Sequence, residues 1–232
     1  MFSIFLKVYF LYKSKTSLLV IYIFLATKIK NIFIRSKIKY KKKKHKIILS
    51  KKIISNDYFS SHALYFYDLL IKLPKNFEYL EIGSYEGNSA LYVSMNFPES
   101  NVTCVDLWEG VEEYEGKDFS VIEKNFDSNL QGLNNINKIK SSSDNFFIKN
   151  KIMFDFIYID GNHKFDYVFR DCENAWRFLN KGGFLVCDDY IWNYYKELSD
   201  NPCYAINSFI KKTTKEIKVL SVTNSQIFIK KI

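Results

Sequence analysis

The stretch F-E-Y-L-E-I-G-S-Y-E-G-N-S, residues 77–89, decides the fold, because a short apolar strand runs directly into a glycine turn and a helix start. Gly83 and Gly87 allow a tight turn and bring backbone N–H groups close to a ligand. The spacing is G-x-x-x-G and not G-x-G-x-x-G, so the pyrophosphate fingerprint of nicotinamide enzymes is incomplete. A turn before a helix would also explain these glycines, and the loop alone does not define a ligand.

Strand-like and helix-like stretches alternate from residue 77 onward. Strand length and composition occur at 77–83, 102–106, 136–140, 154–160 and 183–189, and helix candidates lie at 88–97, 119–130, 145–150, 164–179 and 203–214. The alternation predicts an α/β fold with a Rossmann-like, doubly wound and mostly parallel sheet. Lys181, Gly182 and Gly183 are expected to end the long helix as a glycine cap. Two last strands facing each other across Asn224 predict a closing antiparallel hairpin.

Polar residues follow the predicted strands, at the edge where open α/β sheets bind ligands. Asp106 ends the second strand, 23 residues after Gly83, where a carboxylate can accept hydrogen bonds from both hydroxyls of a ribose. Ser143 and Asp144 follow the third strand, where a carboxylate can meet an adenine amino group. Asp160 follows the fourth strand, and we expect the carboxylates of Asp106, Asp144 and Asp160 to gather around one crevice.

Four motifs in this order resemble the class I S-adenosylmethionine-dependent methyltransferases: E-I-G-S-Y-E-G-N-S-A, V-T-C-V-D-L-W-E-G, F-D-F-I-Y-I-D-G-N-H and L-N-K-G-G-F-L-V-C-D-D-Y. The strand ends I-D-G-x-H and D-D-Y resemble more narrowly the branch that acts on oxygens of small molecules. The resemblance covers about residues 77–232. It implies a seven-stranded sheet with an antiparallel hairpin, S-adenosylmethionine as cofactor, and a hydroxyl of a small or sugar-like molecule as acceptor.

The resemblance also implies roles for the matching residues. Glu81 and Gly83 would line the methionine side of the cofactor, Asp106 would take the ribose, and Ser143 with Asp144 would flank the adenine. The full set of expected cofactor-binding residues is Glu81, Gly83, Ser84, Gly87, Asp106, Leu107, Ser143, Asp144 and Asp160.

A second group of residues is expected to activate the acceptor. A hydroxyl becomes a better nucleophile through a general base or through a divalent cation that lowers its pKa. Asp160, Asp188 and Asp189 follow adjacent predicted strands, and converging carboxylates repel each other unless they are protonated or bind a cation such as magnesium. The alternative is that Asp188 or Asp189 caps the following loop and Asp160 alone approaches the substrate.

His163 is the candidate general base and forms the expected catalytic pair with Asp160, because the ordinary pKa of histidine suits proton abstraction near neutrality. A histidine at a helix start is the alternative interpretation. Trp108 and Glu109, in the loop 108–116, are expected to form an aromatic lid with Tyr190, Trp192 and Tyr194, or else to cover the sheet edge.

The first 52 residues differ from the rest in charge. They hold fifteen Lys or Arg and no Asp or Glu, whereas the remainder carries 19 basic and 25 acidic residues. A nucleic-acid enzyme more often carries positive charge on its catalytic surface, so the acidic remainder argues against a nucleic-acid partner. Lys41 to Lys44 also fit a nuclear address or an RNA-binding arm. We therefore expect a basic arm, residues 1–52, ahead of a methyltransferase domain, residues 53–232.

The arm contains an apolar run of twelve residues, 16–27, which is short of the roughly 20 residues that span a bilayer. No small-residue cleavage site follows it, so secretion is not expected. The run is interpreted as an anchor at a membrane surface, or alternatively as a helix packed on its own catalytic domain. Four cysteines without metal-ligand spacing predict free thiols and a cytoplasmic setting, at the cytoplasmic face of a membrane if the anchor operates.

Two other functions fit parts of the sequence. A membrane-tethered, metal-dependent glycosyltransferase can also combine an N-terminal anchor with an Asp-Asp pair. A methyltransferase fold that has lost catalysis and serves as a binding module is the other alternative. The sequence leaves the acceptor and the oligomeric state open.

Overall fold

The computed structural model describes residues 4–110 and 116–232, and this part of the chain contains nine α-helices and seven strands. The helices are α1 Ile4–Lys13, α2 Leu18–Phe33, α3 Arg35–Leu49, α4 Ala63–Leu70, α5 Asn88–Asn96, α6 Phe119–Leu130, α7 Ser143–Lys149, α8 Phe165–Phe178 and α9 Pro202–Lys212. The strands are β1 Glu78–Ile82, β2 Asn101–Asp106, β3 Ile136–Lys140, β4 Phe154–Ile159, β5 Leu179–Cys187, β6 Ile217–Val222 and β7 Ile227–Lys231.

The strands form a seven-stranded sheet in the order β3-β2-β1-β4-β5-β7-β6. β1 pairs in parallel with β2, β2 with β3, and β4 with β5. β7 pairs antiparallel with both β5 and β6. The prediction of a mostly parallel, Rossmann-like sheet with a closing antiparallel hairpin is therefore confirmed.

The chain divides into two compact units. One, here the C-terminal unit, combines the described residues up to 32 with residues 152–232, and the other, the central unit, comprises residues 33–151. This division distributes the basic N-terminal residues over both units. A separate arm ending at residue 52 stays a prediction.

The central unit is built on β1 and β2, whose side chains are buried on both faces. Tyr79, Leu80, Val102 and Cys104 are inaccessible to solvent, which explains why these strands read as continuous apolar runs. β3 contains only half-buried and exposed positions. Helix α3 joins this unit through His45, whose Nε2 lies 2.7 Å from Asn88 Oδ1 and whose ring meets the edge of Tyr92.

The C-terminal unit is built on β4 and β5, against which α8 packs a buried face containing Val168, Cys172, Ala175 and Trp176. The amphipathic pattern predicted for this helix is thus observed, although Tyr167 is exposed.

The expected glycine cap of α8 is wrong. The helix ends at Phe178, and Gly182 and Gly183 lie inside β5, where the register with β4 shifts. Gly182 has φ 86°, and a Cβ on Gly183 would lie 2.8 Å from the carbonyl oxygen of Asp155. The two glycines therefore form a β-bulge, which needs both left-handed backbone and a close approach of main chains.

The apolar run of the N-terminal segment lies in α2. Val20, Ile21 and Phe24 on this helix are buried within the C-terminal unit, so one face of the run packs on its own chain. Among the described helices, none combines the length and the apolar character needed to cross a bilayer.

Candidate active site

The loop after β1 adopts the backbone that its glycines predict. Gly83 has φ 86° and Gly87 has φ 79°, and α5 begins directly afterwards at Asn88. The N–H of Gly83 donates to the carbonyl of Val105 at 2.9 Å, and the N–H of Gly87 donates to the backbone carbonyl of Ser84 at 2.7 Å. A Cβ on Gly87 would lie 3.0 Å from Leu130 Cδ1, so glycine is required there by both conformation and space.

Glu81 and Ser84 place buried polar atoms at this loop. Glu81 is inaccessible to solvent, and its Oε2 accepts a hydrogen bond of 2.7 Å from the hydroxyl of Tyr79. Burial raises the pKa of Glu81 to about 7, although the hydroxyls of Tyr79, Ser89 and Ser84 act to lower it. Glu81 Oε1 and Ser84 Oγ nevertheless lack a hydrogen bond of normal geometry to any described residue. Such atoms suit a ligand that supplies donors.

Asp106 connects the ends of β1 and β2. Its Oδ2 accepts from the N–H of Tyr85 at 2.9 Å and its Oδ1 accepts from the N–H of Trp108 at 2.7 Å. Burial raises the pKa of Asp106, while these backbone hydrogen bonds act to lower it. Each carboxylate oxygen keeps a second lone pair, so the side chain can still accept hydrogen bonds from a ribose.

The third strand end lies beside the second. The N–H of Ser141 donates to the carbonyl of Asp106 at 2.9 Å, and α7 follows immediately with Ser143 and Asp144 in its first turn. Both side chains are half-buried, and Leu107 is 41% exposed. All the predicted cofactor residues except Asp160 therefore belong to the central unit, at successive strand ends.

Glu86 is a structural residue of this loop that sequence reasoning missed. It is buried, and its carboxylate accepts hydrogen bonds from the N–H and hydroxyl of Ser55 at 2.7 and 2.6 Å and from Asn125 Nδ2 at 2.8 Å. Asn129 Nδ2 donates to the Glu86 carbonyl at 2.9 Å. A glutamate inside a glycine loop was the available signal. These contacts fix the loop from its outer side.

In the C-terminal unit, two of the predicted carboxylates share a tyrosine. The hydroxyl of Tyr158 donates to Asp160 Oδ2 at 2.9 Å and also lies within hydrogen-bond distance of Asp188 Oδ2. Gln226 Nε2 donates to the same Asp188 oxygen at 2.7 Å, and the N–H of Asp189 donates to Asp188 Oδ1 at 2.8 Å. Asp188 is thus occupied by hydrogen bonds on both oxygens.

These carboxylates hold protons more tightly than usual. Burial first, and then repulsion from Asp188 and Asp189, raises the pKa of Asp160 well above its ordinary value. Burial and the neighbouring Asp189 raise the pKa of Asp188 to about 6. A single phenol proton cannot serve both carboxylates, so the cluster favours an additional proton or a cation.

His163 joins this cluster through Asp189. The histidine Nε2 lies 2.9 Å from Asp189 Oδ2, and one ligand atom each from Asp160, His163 and Asp189 lies within 4.8 Å of the others. His163 is only 6% exposed, so it lies deeper than a residue at the mouth of a site. The structure therefore groups His163 with Asp160 and Asp189, and the predicted metal set of Asp160, Asp188 and Asp189 stays a prediction.

An aromatic loop follows Asp189. The rings of Trp192 and Tyr194 stack with their centroids 5.1 Å apart, and the centroids of the Trp192 and His163 rings lie 4.7 Å apart. Tyr194 is 55% exposed. Asn201 is buried and holds the loop, since its Oδ1 accepts from the N–H groups of Tyr194 and Tyr195 and its Nδ2 donates to two carbonyls.

Two members of the expected aromatic lid are interior residues instead. Tyr190 is fully buried, with its hydroxyl donating to Asn207 Oδ1 at 2.7 Å. Trp108 is 3% exposed, because its ring packs against Phe126 and its Nε1 donates to the carbonyl of Tyr85. Residues 111–115 of the expected lid lie outside the described residues.

The expected crevice joins Asp106 and Asp144 of the central unit with Asp160 of the C-terminal unit. It stays a prediction. Within each unit, the predicted residues do lie together at adjacent strand ends.

The sheet order and the glycine loop after β1 define a Rossmann-like α/β protein with a closing antiparallel hairpin. Residues 80–190 match a family model described as a methyltransferase domain. The chain therefore belongs to the class I S-adenosylmethionine-dependent methyltransferases. This result favours the methyltransferase over the glycosyltransferase interpretation.

Solved structures of methyltransferases share this fold. The O-methyltransferase TomG of Streptomyces achromogenes, in complex with S-adenosylmethionine, aligns with a TM-score of 0.58 at 13% identity, over 82% of this chain and 88% of that one. The methyltransferase MycE, in complex with magnesium, S-adenosylhomocysteine and mycinamycin VI, aligns with a TM-score of 0.58 at 15% identity, over 81% of this chain and 54% of that one. At these identities the likeness shows the fold alone.

The sequence relative is the uncharacterized protein R132 of Acanthamoeba polyphaga mimivirus, which is 30% identical over 155 residues. The match covers 61% of this chain and 66% of the relative, so the chain spans about two thirds of that protein's length.

Proposed function

We propose that this chain transfers the methyl group of S-adenosylmethionine to a hydroxyl of a small or sugar-like acceptor. The observation that carries the proposal is the loop after β1, where Glu81 Oε1 and Ser84 Oγ are buried acceptors without a normal hydrogen bond beside left-handed Gly83 and Gly87. An ammonium group of the methionine moiety supplies the donors that these atoms need. The cofactor itself supplies an electrophilic methyl group on a sulfonium.

The remaining cofactor contacts in the proposal follow the strand ends. Asp106 accepts hydrogen bonds from the ribose hydroxyls, Leu107 contacts the nucleoside, and Ser143 with Asp144 flanks the adenine. Gly87 lets the loop pack against Leu130, where a Cβ would not fit, and so helps to hold the loop in its binding conformation. Asp160, which belongs to the C-terminal unit, stays a prediction as a member of this set.

For the acceptor, we propose that the carboxylates after β4 and β5 make the hydroxyl a stronger nucleophile. As the hydroxyl oxygen bonds to the methyl group, the sulfur–methyl bond breaks, S-adenosylhomocysteine leaves, and one of these carboxylates takes the hydroxyl proton. Asp160 and Asp189 would hold a divalent cation such as magnesium, since oxygen ligands suit it and a cation would relieve the repulsion that raises the pKa of Asp160. A bound cation would lower the pKa of the acceptor hydroxyl. Tyr158 and His163 donate to these carboxylates and orient them.

His163 then acts as a positioning residue rather than as the general base. Its Nε2–H donates to Asp189, and its low exposure keeps it from meeting a bulky acceptor directly. The stacked rings of Trp192 and Tyr194 offer a flat apolar surface beside this cluster, which suits a ring-shaped acceptor such as a sugar or an aromatic compound. MycE, a fold neighbour solved in complex with magnesium and mycinamycin VI, supports a divalent cation and a small-molecule ligand as parts of the proposal.

We place the enzyme in a reducing compartment such as the cytoplasm, because all four cysteines are free thiols and buried. Cys172 Sγ and Cys187 Sγ lie 3.7 Å apart without a disulfide, which agrees with that setting. Attachment to a membrane depends on a different surface, the outer faces of helices α1 and α2.

The test is an activity screen with the full chain, methyl-labelled S-adenosylmethionine and fractionated metabolite extracts. The proposal expects one labelled product, loss of labelling on chelation, and recovery with magnesium. Asp189→Asn should match the loss caused by chelation, whereas Asp200→Asn, an exposed carboxylate of the same unit, should behave as wild type. Cofactor binding without transfer to any fraction would support the non-catalytic binding module instead. Full activity in chelator would remove the cation from the proposal.

A further inference from the structure

Helices α1 and α2 each carry an exposed apolar stripe. The members recur at spacings of three and four, as residues on one helix face do. On α1 they are Phe5, Tyr9 and Tyr12, and on α2 they are Leu18, Tyr22, Leu25, Ile29 and Ile32. Leu18 is 78% exposed and Ile32 is 71% exposed, so these are fully presented side chains. We name these eight residues the outer stripe.

Folding already uses the opposite face of α2. Phe24 is inaccessible to solvent, and the N–H of Val222 donates to Thr27 Oγ1 at 3.3 Å. In the turn before the helix, Asn207 Nδ2 donates to Thr16 Oγ1 at 2.8 Å. These contacts attach α1 and α2 to the C-terminal unit, so the outer stripe faces away from its core.

The charges near the outer stripe are of one sign. Residues 4–32 contain Lys7, Lys13, Lys15, Lys28 and Lys30 and no acidic residue. Contiguous exposed apolar surface in a soluble domain marks an interaction site. Apolar and aromatic side chains together with lysines on a helix are the composition of helices that lie in the interface of a bilayer.

The charge also distinguishes between two partners. A second copy of this chain, pairing through the same surface, would bring lysines against lysines without a carboxylate in this segment to compensate them. A bilayer with anionic lipids supplies the missing negative charge and accepts the apolar side chains. Lysines can extend their apolar stems along the interface while their ammonium groups reach the headgroups.

We propose that the outer stripe docks the C-terminal unit flat onto the surface of an anionic lipid bilayer. The helices lie in the headgroup region with the apolar side chains inward. Lys13, Lys15 and Lys30 lie against phosphate and carboxylate groups, whereas Lys7 and Lys28 donate to Asn224 Oδ1 on the protein. Since the same unit carries Asp160, His163 and Asp189, the membrane holds this unit directly and not through a flexible tether. This docking is independent of the methyl-transfer chemistry.

The test is flotation of the full chain with phosphatidylcholine vesicles prepared with and without phosphatidylserine. We expect binding to the anionic vesicles, weakened by added salt. The triple variant Leu18→Gln, Ile29→Gln, Ile32→Gln should lower the vesicle-bound to free ratio by at least about tenfold, because three apolar side chains are lost from the lipid contact. The matched control changes three exposed isoleucines elsewhere, Ile71→Gln, Ile148→Gln and Ile152→Gln, and should float as wild type.

Three results would overturn the proposal. The first is flotation of the outer-stripe variant that equals wild type, and the second is no flotation of wild type at all. The third is sedimentation of wild type as a dimer that the variant converts to monomer, without vesicle binding, which would assign the stripe to a second copy. Thermal unfolding of both triple variants reports their folding. Binding of vesicles without methyl transfer would contradict the proposed activity and leave the docking intact.

Discussion

The loop after β1 and the carboxylates after β4 and β5 are organised differently. The loop is held mainly through its backbone, with Gly83 bonded to Val105 and both oxygens of Asp106 bonded to backbone N–H groups. The carboxylate of Glu86 adds side-chain contacts to it. The carboxylates are held by side chains, and Tyr158 lies between Asp160 and Asp188. A loop fixed by its backbone is preformed for a constant ligand, whereas a cluster fixed by shared protons depends on pH and on cations.

This difference explains the division of roles that we propose. The cofactor is the same in every turnover, so a rigid binding loop is suited to it. Acceptor activation requires a change in protonation or charge, so carboxylates with raised pKa values are suited to that. Each prediction below tests one side of this comparison.

The largest effect is expected for Asp106→Ala. The change removes the acceptor for the N–H groups of Tyr85 and Trp108 as well as the proposed ribose contact. Loss of the two proposed charge-assisted hydrogen bonds from the ribose hydroxyls should weaken S-adenosylmethionine binding at least about 100-fold in calorimetry. Asp127→Ala, an exposed carboxylate of the same unit, is the control and should bind as wild type. An affinity for Asp106→Ala close to that of the control would contradict this role.

A smaller effect is expected at His163. If the histidine orients Asp189, His163→Ala should lower kcat about tenfold to 100-fold, and His163→Gln, which keeps a donor, should retain most of it. The pH profile of kcat should keep its shape in His163→Gln. If both variants lost kcat equally, and if the rise of kcat with pH disappeared in both, His163 would be the general base.

Cofactor binding should depend on pH through Glu81. Its pKa of about 7 means that the carboxylate is ionised above pH 7 and protonated below it. An ammonium group binds the ionised form, so affinity should fall up to about tenfold per pH unit below pH 7. Titrations across that range test this, with Glu81→Gln as control. The variant should bind the cofactor more weakly, and its affinity should depend less on pH. Any remaining pH dependence of the affinity would come from Asp106, whose pKa is also raised.

The smallest effect is a difference in stability between two glycine variants. Gly87→Ala and Gly132→Ala both place a side chain at positive φ, which costs about 1–2 kcal/mol each. The new Cβ at 87 would also crowd Leu130 and Phe126, whereas the one at 132 meets nothing within 4 Å. Gly87→Ala should therefore be destabilised by about 1 kcal/mol more in denaturant unfolding. If both variants lost the same free energy of unfolding, the loop would be able to accommodate the added Cβ at position 87.

Much of the fold and of the cofactor loop could be predicted because local patterns determine them. The apolar strands, the positive-φ glycines and Asp106 at a strand end each have a sequence signal that does not depend on distant residues. The glycine pair in β5 differs from the predicted helix cap, because a β-bulge and a cap both need left-handed glycine and have the same sequence signal.

The carboxylate cluster was harder to predict. Its partners, Tyr158 and Gln226, come from a neighbouring strand and from the hairpin, and the pairing depends on tertiary contacts. Tyr158 is two residues before Asp160 on one strand face, so period-two spacing was an available signal, whereas Gln226 had none. The burial of Tyr190 and Trp108 likewise depends on packing that their sequence context does not reveal.

The central claim is that the loop after β1 binds S-adenosylmethionine. The direct measurement is calorimetric titration of the purified full chain with S-adenosylmethionine and S-adenosylhomocysteine, together with the thermal unfolding of the same samples. The account predicts one molecule bound per chain and a raised unfolding temperature with either compound. A folded chain that shows neither binding heat nor stabilisation would contradict it.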